Sequence, residues 1–138
     1  MTQEAWLTPE NIERLFEGAN HWSVRYKKLF EFADTIAPLP DDIHPITIEG
    51  CSAPVELLIE HDNDRYRFRA YSDSKLIRGL ISLLIAHLNN HTKEEIAEFD
   101  IEALFRSLDF GKYVNTSRVN GLMKVRANIL KIIDARWS

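Results

Sequence analysis

The chain has 138 residues, of which 45% are hydrophobic and 28% are charged, and its formal net charge is −4. This length and composition are typical of one globular domain, so we expect a single domain over residues 1–138. A weakly acidic chain lacks the basic excess that releases counterions from phosphates, which argues against a nucleic-acid-binding protein.

The first residues show no basic stretch followed by an apolar one, so we expect no signal peptide. The longest apolar run, residues 80–88, is interrupted by polar side chains and is too short to span a bilayer. With the single cysteine, which suits a reducing compartment, these features predict a cytoplasmic protein.

Two helices are predicted in the N-terminal part. Thr8 followed by Pro9 is typical of a helix start, and Gly18 is suited to end this short helix. Asn20 is predicted to cap a second helix, in which apolar residues recur at helical spacing as far as Ile36.

Three strand-like runs follow, at residues 46–48, 55–61 and 65–71. The third alternates arginine with apolar side chains, which predicts a half-buried strand in a hairpin with the second. Its arginines are open to two interpretations, a basic patch or a solvated sheet face. The second interpretation, in which they meet Glu56 and Glu60 across the hairpin, is the more common pattern.

The C-terminal half is predicted to be helical. Residues 76–88 are apolar almost all round, which predicts a buried central helix. Gly79 in its interior indicates close packing against another element, because glycine otherwise weakens a helix. The sequence therefore predicts an α+β fold, a small antiparallel sheet of about three strands packed against several α-helices.

Three further helix starts can be located. Thr92 and Glu95 have the spacing of a capping box, and Asp100 is predicted to cap a short helix. Ser117 is predicted to open the last helix, whose inner stripe is Leu122, Val125, Ile129 and Ile132.

The chain's only cysteine, Cys51, follows Gly50 and precedes Ser52 in a predicted turn between two strands. A lone thiol excludes an internal disulfide and a zinc site that needs a second nearby thiolate. Two interpretations remain open. Most single cysteines are small buried hydrophobic residues, whereas a thiol in a loop is accessible to a partner and is able to act as a nucleophile.

The histidines suggest weaker possibilities. His87 and His91 have a spacing that suits metal ligation on one helix face, but no third ligand is nearby, so we expect no metal site. His44 and His61 flank the cysteine turn in sequence, and either one would be able to lower the pKa of a neighbouring thiol.

Short motifs spread along the chain carry a family resemblance. They are Trp22-x-x-Arg25-Tyr26, Pro38-Leu39-Pro40, Gly50-Cys51 followed by Val55, Asp73-Ser74 followed by Ile77-Arg78-Gly79-Leu80, Thr92 with Glu95-Ile96, Phe99-Asp100, Phe105, and Ser117-Arg118-x-x-Gly121-Leu122. In this order and at this spacing, the motifs resemble those of the SufE/CsdE family of sulfur-acceptor proteins.

The resemblance implies a SufE-like fold and a role in iron–sulfur cluster assembly. In that role Cys51 accepts sulfur, as a persulfide, from a pyridoxal-phosphate (PLP)-dependent cysteine desulfurase of the SufS/CsdA type, activates that enzyme and passes the sulfur to a scaffold or another acceptor. It also implies an accessory protein without a cofactor of its own that depends on its desulfurase partner, so the chain is not expected to be a stand-alone enzyme.

Four further residues are implied to bind the partner or position the loop. Gly50 and Ser52 flank the cysteine, Asp73 lies before the central helix, and Arg118 lies at the start of the last helix. Each of the last two has a plain alternative. Asp73 has the character of a helix N-cap, and Arg118 that of a surface residue in a structural ion pair.

The chain departs from the family pattern just after the cysteine. The family usually has serine two residues on and tryptophan five residues on, where this chain has Ala53 and Glu56, and Pro54 between them stiffens the segment. This departure motivates a second hypothesis, in which the protein is a non-catalytic module that binds and regulates a desulfurase without carrying sulfur.

Overall fold

The computed structural model describes residues 7–42, 44–49 and 53–137. Within these ranges the chain forms six α-helices, a 3₁₀ turn and one sheet. In chain order the elements are α1 (Pro9–Leu15), α2 (Trp22–Asp34), β1 (Ile46–Ile48), β2 (Val55–Asp62), β3 (Arg65–Tyr71), α3 (Lys75–Leu88), β4 (His91–Thr92), α4 (Lys93–Glu98), α5 (Ile101–Leu108), the 3₁₀ turn (Gly111–Tyr113) and α6 (Thr116–Trp137).

The sheet has the strand order β1-β2-β3-β4, and all neighbouring strands are antiparallel. Its inner face is apolar and packs against the helices, and it includes Val55, Leu57, Ile59, Tyr66, Phe68 and Ala70. The predicted α+β fold is confirmed, with four strands in the described residues where about three were expected. The additional strand, β4, has only two residues and pairs with the start of β3.

The three arginines of β3 lie on the outer face of the hairpin. Arg67 is opposite Glu60, as predicted, and its guanidinium lies 3.8 Å from the Asp62 carboxylate. Glu56 is opposite Tyr71 instead of an arginine. The charges of this face are therefore partly compensated within the sheet, which is the pattern of a solvated sheet face.

Helix α3 forms the centre of the core, as its apolar sequence predicts. Most of its side chains are buried, and it packs against both α2 and the sheet. A Cβ atom added at Gly79 would lie only 2.8 Å from Leu29 Cδ1 and 3.4 Å from the Leu29 carbonyl oxygen. The predicted close packing at Gly79 is confirmed, and the neighbouring helix is α2.

In the described ranges, no helix combines the length and apolarity that crossing a bilayer requires.

We expect Gly79→Ala to lower the free energy of unfolding by about 1 kcal/mol, since overpacking a core costs about 1–3 kcal/mol and alanine regains about 1 kcal/mol of helix propensity. Leu29 is fully buried, so its side chain has little room to move away. In a Leu29→Ala background the same change should instead stabilise the protein. Urea unfolding of wild type and the three variants measures both effects, and an equal effect in both backgrounds would refute the steric explanation.

Most of the predicted helix starts are found in the structure. Thr8 and Thr92 each form a capping box, and the Asp100 side chain accepts a hydrogen bond from the Ala103 amide at 2.9 Å. The prediction for α2 was wrong by one residue. Its N-cap is His21 instead of Asn20, because the His21 Nδ1 atom accepts a hydrogen bond from the Ser23 amide.

Helix α6 starts one residue earlier than predicted, at Thr116, and the Asn115 side chain accepts a hydrogen bond from the Arg118 amide at 3.1 Å. Its inner stripe is confirmed at three positions and corrected at the fourth. Ile133 is buried in place of Ile132, and the stripe consists of Val119, Leu122, Val125, Ile129 and Ile133.

Candidate functional site

The segment that carries the cysteine connects two paired strands. Ile48, the last residue of β1, is paired with Val55, the first residue of β2, and both side chains are buried. Residues 49–54, named here the β1–β2 loop, therefore begin and end at a closed hairpin stem. Gly50, Cys51 and Ser52 lie outside the described residues.

The described part of the β1–β2 loop explains how its second half is anchored. Ala53 is half-buried and packs against the hydrophobic core, whereas Glu49 and Pro54 are exposed. Glu56, the other position that departs from the family pattern, is exposed on the outer face of the sheet. The small alanine thus belongs to the packed stem, while Pro54 and Glu56 contribute to the surface around it.

A second connection leaves the sheet at the same end. β3 runs antiparallel to β2, and its last residue, Tyr71, is paired with Glu56, one residue from the loop stem. Residues 72–74, named here the β3–α3 turn, therefore start about one strand spacing, some 5 Å, from the beginning of β2. Asp73 is exposed in this turn. The N-cap of α3 is Ser74, whose Oγ accepts a hydrogen bond from the Ile77 amide, so Asp73 is not the helix cap.

Arg78, in the first turns of α3, holds the β3–α3 turn in place. Its Nε donates to the Ser72 carbonyl at 2.8 Å, and its Nη2 donates to the Asp73 carbonyl at 3.3 Å. Nη1 donates to the Ala33 carbonyl in the last turn of α2 at 3.4 Å. The guanidinium carbon also lies 4.4 Å from the centre of the Tyr71 ring. One side chain thus connects the end of β3, the turn and α2.

Arg118 acts electrostatically on Tyr26, a member of an aromatic cluster. The rings of Tyr26 and Tyr113 stack with their centres 4.4 Å apart, and the ring of Trp22 lies 5.3 Å from that of Tyr113. Burial, and then the neighbouring Tyr113, raise the pKa of Tyr26, whereas the positive charge of Arg118 opposes this shift. The structure therefore places the charge of Arg118 close enough to influence Tyr26, in the first half of α2.

The two predicted polar residues are thus near different parts of α2. Asp73 is tied, through Arg78, to Ala33 in the last turn of the helix. Tyr26, on whose raised pKa the charge of Arg118 has a lowering effect, precedes Ala33 by seven residues, or about 10 Å along the helix axis. That Asp73 and Arg118 bind a partner or position the loop remains a prediction.

Of the two histidines suggested as partners of the thiol, His61 lies far from the stem along β2. His61 is near the end of β2, six residues and about 20 Å from Val55 along the strand. Its ring stacks on Tyr66 with the centres 4.6 Å apart, and it also contacts Trp137. His44 is exposed and precedes the three-residue strand β1 by two residues, at the end of that strand away from the β1–β2 loop.

The two histidines considered as metal ligands each form a hydrogen bond with the backbone. His87 Nδ1 donates to the Leu83 carbonyl at 2.9 Å, and His91 Nδ1 donates to the Asn89 carbonyl at 2.8 Å. Across residues 7–42, 44–49 and 53–137, no group of three or more metal-ligating side chains is found.

Sequence reasoning missed the role of Arg78, although one signal was present. The first turn of α3 contains no acidic residue, yet Lys75 and Arg78 place two cations near its positive end. Such an unfavourable arrangement indicates compensation from elsewhere. The structure supplies it, because Lys75 forms a 2.8 Å ion pair with Asp34 and Arg78 binds carbonyl groups.

Comparisons with known proteins agree with this architecture. The family model described as "SufE: Fe-S metabolism associated domain" matches residues 10–133. An uncharacterized SufE-like protein of Haemophilus influenzae is 31% identical over 120 residues, covering 83% of this chain and 92% of that protein. A protein of Wigglesworthia glossinidia brevipalpis named cysteine desulfuration protein SufE is 25% identical over 124 residues, covering 88% of this chain and 86% of that protein.

A solved structure shares the fold. The solution structure of a hypothetical protein from Thermus thermophilus superposes with a TM-score of 0.63, covering 93% of this chain and 98% of the other. The two sequences are only 17% identical, so this similarity supports the fold alone.

Proposed function

Because the chain belongs to the SufE family of Fe–S metabolism, we propose that it accepts sulfur on Cys51 from a PLP-dependent cysteine desulfurase and carries it toward iron–sulfur cluster assembly. One relative is named for cysteine desulfuration, which indicates the class of partner. The observation that carries this proposal is that the only cysteine falls, in sequence, midway between Ile48 and Val55, the two ends of a closed hairpin stem.

The proposed step is a thiol–persulfide exchange. The Cys51 thiolate attacks the outer sulfur of a persulfide on the desulfurase, so that a new S–S bond forms and the S–S bond of the donor breaks. The donor cysteine leaves as a thiolate, and the outer sulfur becomes the terminal sulfur of a Cys51 persulfide. No external oxidant or reductant is required, because the sulfur atom is transferred without a change in the total number of electrons.

The composition of the chain suits a carrier. A persulfide beside a second thiol is readily lost, because that thiol attacks the inner sulfur, forms a disulfide and releases sulfide. This chain has no second cysteine, so a persulfide on Cys51 has no internal thiol to react with. The desulfurase supplies the chemistry that removes sulfur from L-cysteine, and this chain supplies the acceptor thiol and the surface that docks it.

Mass spectrometry tests this function. The protein is incubated with each purified PLP-dependent cysteine desulfurase of its source organism and with L-cysteine, and we expect a gain of about 32 Da, one sulfur atom, on the peptide that contains Cys51. The gain should disappear after treatment with dithiothreitol. An unchanged mass together with retained binding to a desulfurase would instead support the regulatory module that carries no sulfur.

A further inference from the structure

The contacts of Arg78 require the shape of a guanidinium. Three nitrogen atoms of one planar group donate to the carbonyls of Ser72, Asp73 and Ala33, which belong to the turn and to α2. A lysine at this position keeps the charge, but it has a single nitrogen on a flexible chain and is unable to reproduce this fork. The Tyr71 ring packs against the same group and restricts its position.

These contacts fix the main chain on either side of Asp73 without using its carboxylate. The Asp73 carbonyl accepts a hydrogen bond from Arg78, and the following residue, Ser74, caps α3. The Asp73 side chain is exposed and forms no ion pair with any side chain that the structure describes. It is therefore a charged group on a rigid support, beside the stem of the β1–β2 loop.

We infer that Arg78 is a positioning residue that presents Asp73 to the cysteine desulfurase, an inference that rests on the proposed function. Arg78 is half-buried and tied to carbonyl groups, and it acts only through the turn. The Asp73 carboxylate meets a basic group of the desulfurase when the β1–β2 loop approaches the active site of that enzyme. A held carboxylate loses less conformational freedom on binding than one on a loose turn, which favours the complex.

The test compares the binding of variants to the desulfurase that wild type stimulates, measured by titration with a fluorescently labelled enzyme. Arg78→Lys should raise the dissociation constant about tenfold. In an Asp73→Asn background the same change should raise it by about twofold or less, because the group that Arg78 positions has already lost its charge. Arg65→Lys is the matched control. Arg65 also donates to a backbone carbonyl, that of Asn90 at 2.8 Å, but at the other end of the sheet, so its replacement should leave the dissociation constant unchanged.

A purely structural role for Arg78 predicts a different result. The dissociation constant would then rise equally in the wild-type and Asp73→Asn backgrounds, or would not rise at all, and either result would overturn the inference. Tyr71→Leu loosens the same support from its aromatic side and serves if Arg78→Lys does not fold. It should raise the dissociation constant about threefold, again only when Asp73 is present.

The same samples separate this inference from the proposed function. If Cys51 gains no sulfur but Arg78→Lys weakens binding through Asp73, the carrier function fails and the role of Arg78 stands. If Cys51 gains sulfur and the effect of Arg78 does not depend on Asp73, the carrier function stands and the inference is wrong. If wild type binds no desulfurase of its source organism, both are wrong.

Discussion

Replacement of Cys51 by serine should abolish stimulation of the desulfurase, leaving the rate of sulfide release from L-cysteine at the value measured without this protein. A serine hydroxyl is similar in size to a thiol, but it is not ionised near neutral pH and does not attack a persulfide sulfur. Urea unfolding should show a change in the free energy of unfolding below about 0.5 kcal/mol, because serine differs from cysteine by a single atom of similar size.

A chemical variant of wild type provides the control. Protein alkylated with iodoacetamide and then freed of reagent should lose stimulation to the same extent, since Cys51 is the only thiol in the chain. If Cys51→Ser stimulates sulfide release as well as wild type does, the carrier function is wrong.

The second large effect is expected at Asn89, a buried residue that extends the hydrogen bonding of the sheet. β4 pairs only with Arg65 and Tyr66, so the next inward-facing residue of β3, Phe68, lies beyond its reach. The Asn89 Oδ1 atom accepts a hydrogen bond from the Phe68 amide at 2.8 Å, and Nδ2 donates to the Leu7 carbonyl at 3.1 Å. The Asn89 side-chain oxygen therefore provides β3 with the acceptor that a longer neighbouring strand would have provided. Its side-chain nitrogen binds the N-terminal segment at Leu7.

We expect Asn89→Ala to lower the free energy of unfolding by about 3 kcal/mol, because each polar group that loses its partner in the interior costs about 1–3 kcal/mol. Asn128→Ala is the matched control. The Asn128 side chain donates to the Lys124 carbonyl on the surface of α6, where water replaces the lost contact, so we expect a change within about 0.5 kcal/mol. Urea unfolding measures both, and a similar small change for the two variants would refute the role given to Asn89.

Local patterns predicted most of the fold because they arise from local geometry. The alternation along β3 and the apolar surface of α3 each specify which residues are buried, and both are confirmed. The error in α6 has a geometric cause. At about 100° per residue, Ile133 lies about 20° from Leu122 around the helix, whereas Ile132 lies about 80° away. The prediction stepped three residues from Ile129 to Ile132, whereas a step of four residues leads to Ile133, the residue that is buried.

Features that depend on contacts between residues far apart in the chain could not be predicted from the sequence. β4 consists of His91 and Thr92, too short to show any alternation, and it exists because β3 offers an edge. Asn20 is a good cap by composition, but His21 occupies that position in the folded chain. The contact between Arg78 and Ala33 joins residues 45 positions apart, and no periodicity in the sequence predicts such a pair. The position of the cysteine between two strands, by contrast, was evident from its neighbours.

The pairing of Ile48 with Val55 also bears on how this protein can diverge. Since the two strands close upon each other before the intervening six positions begin, the pairing of the strands does not depend on what those positions hold, although Ala53 packs against the core and limits replacement there. Specificity would then evolve by replacing a short insert, independently of the selection that preserves the body of the domain.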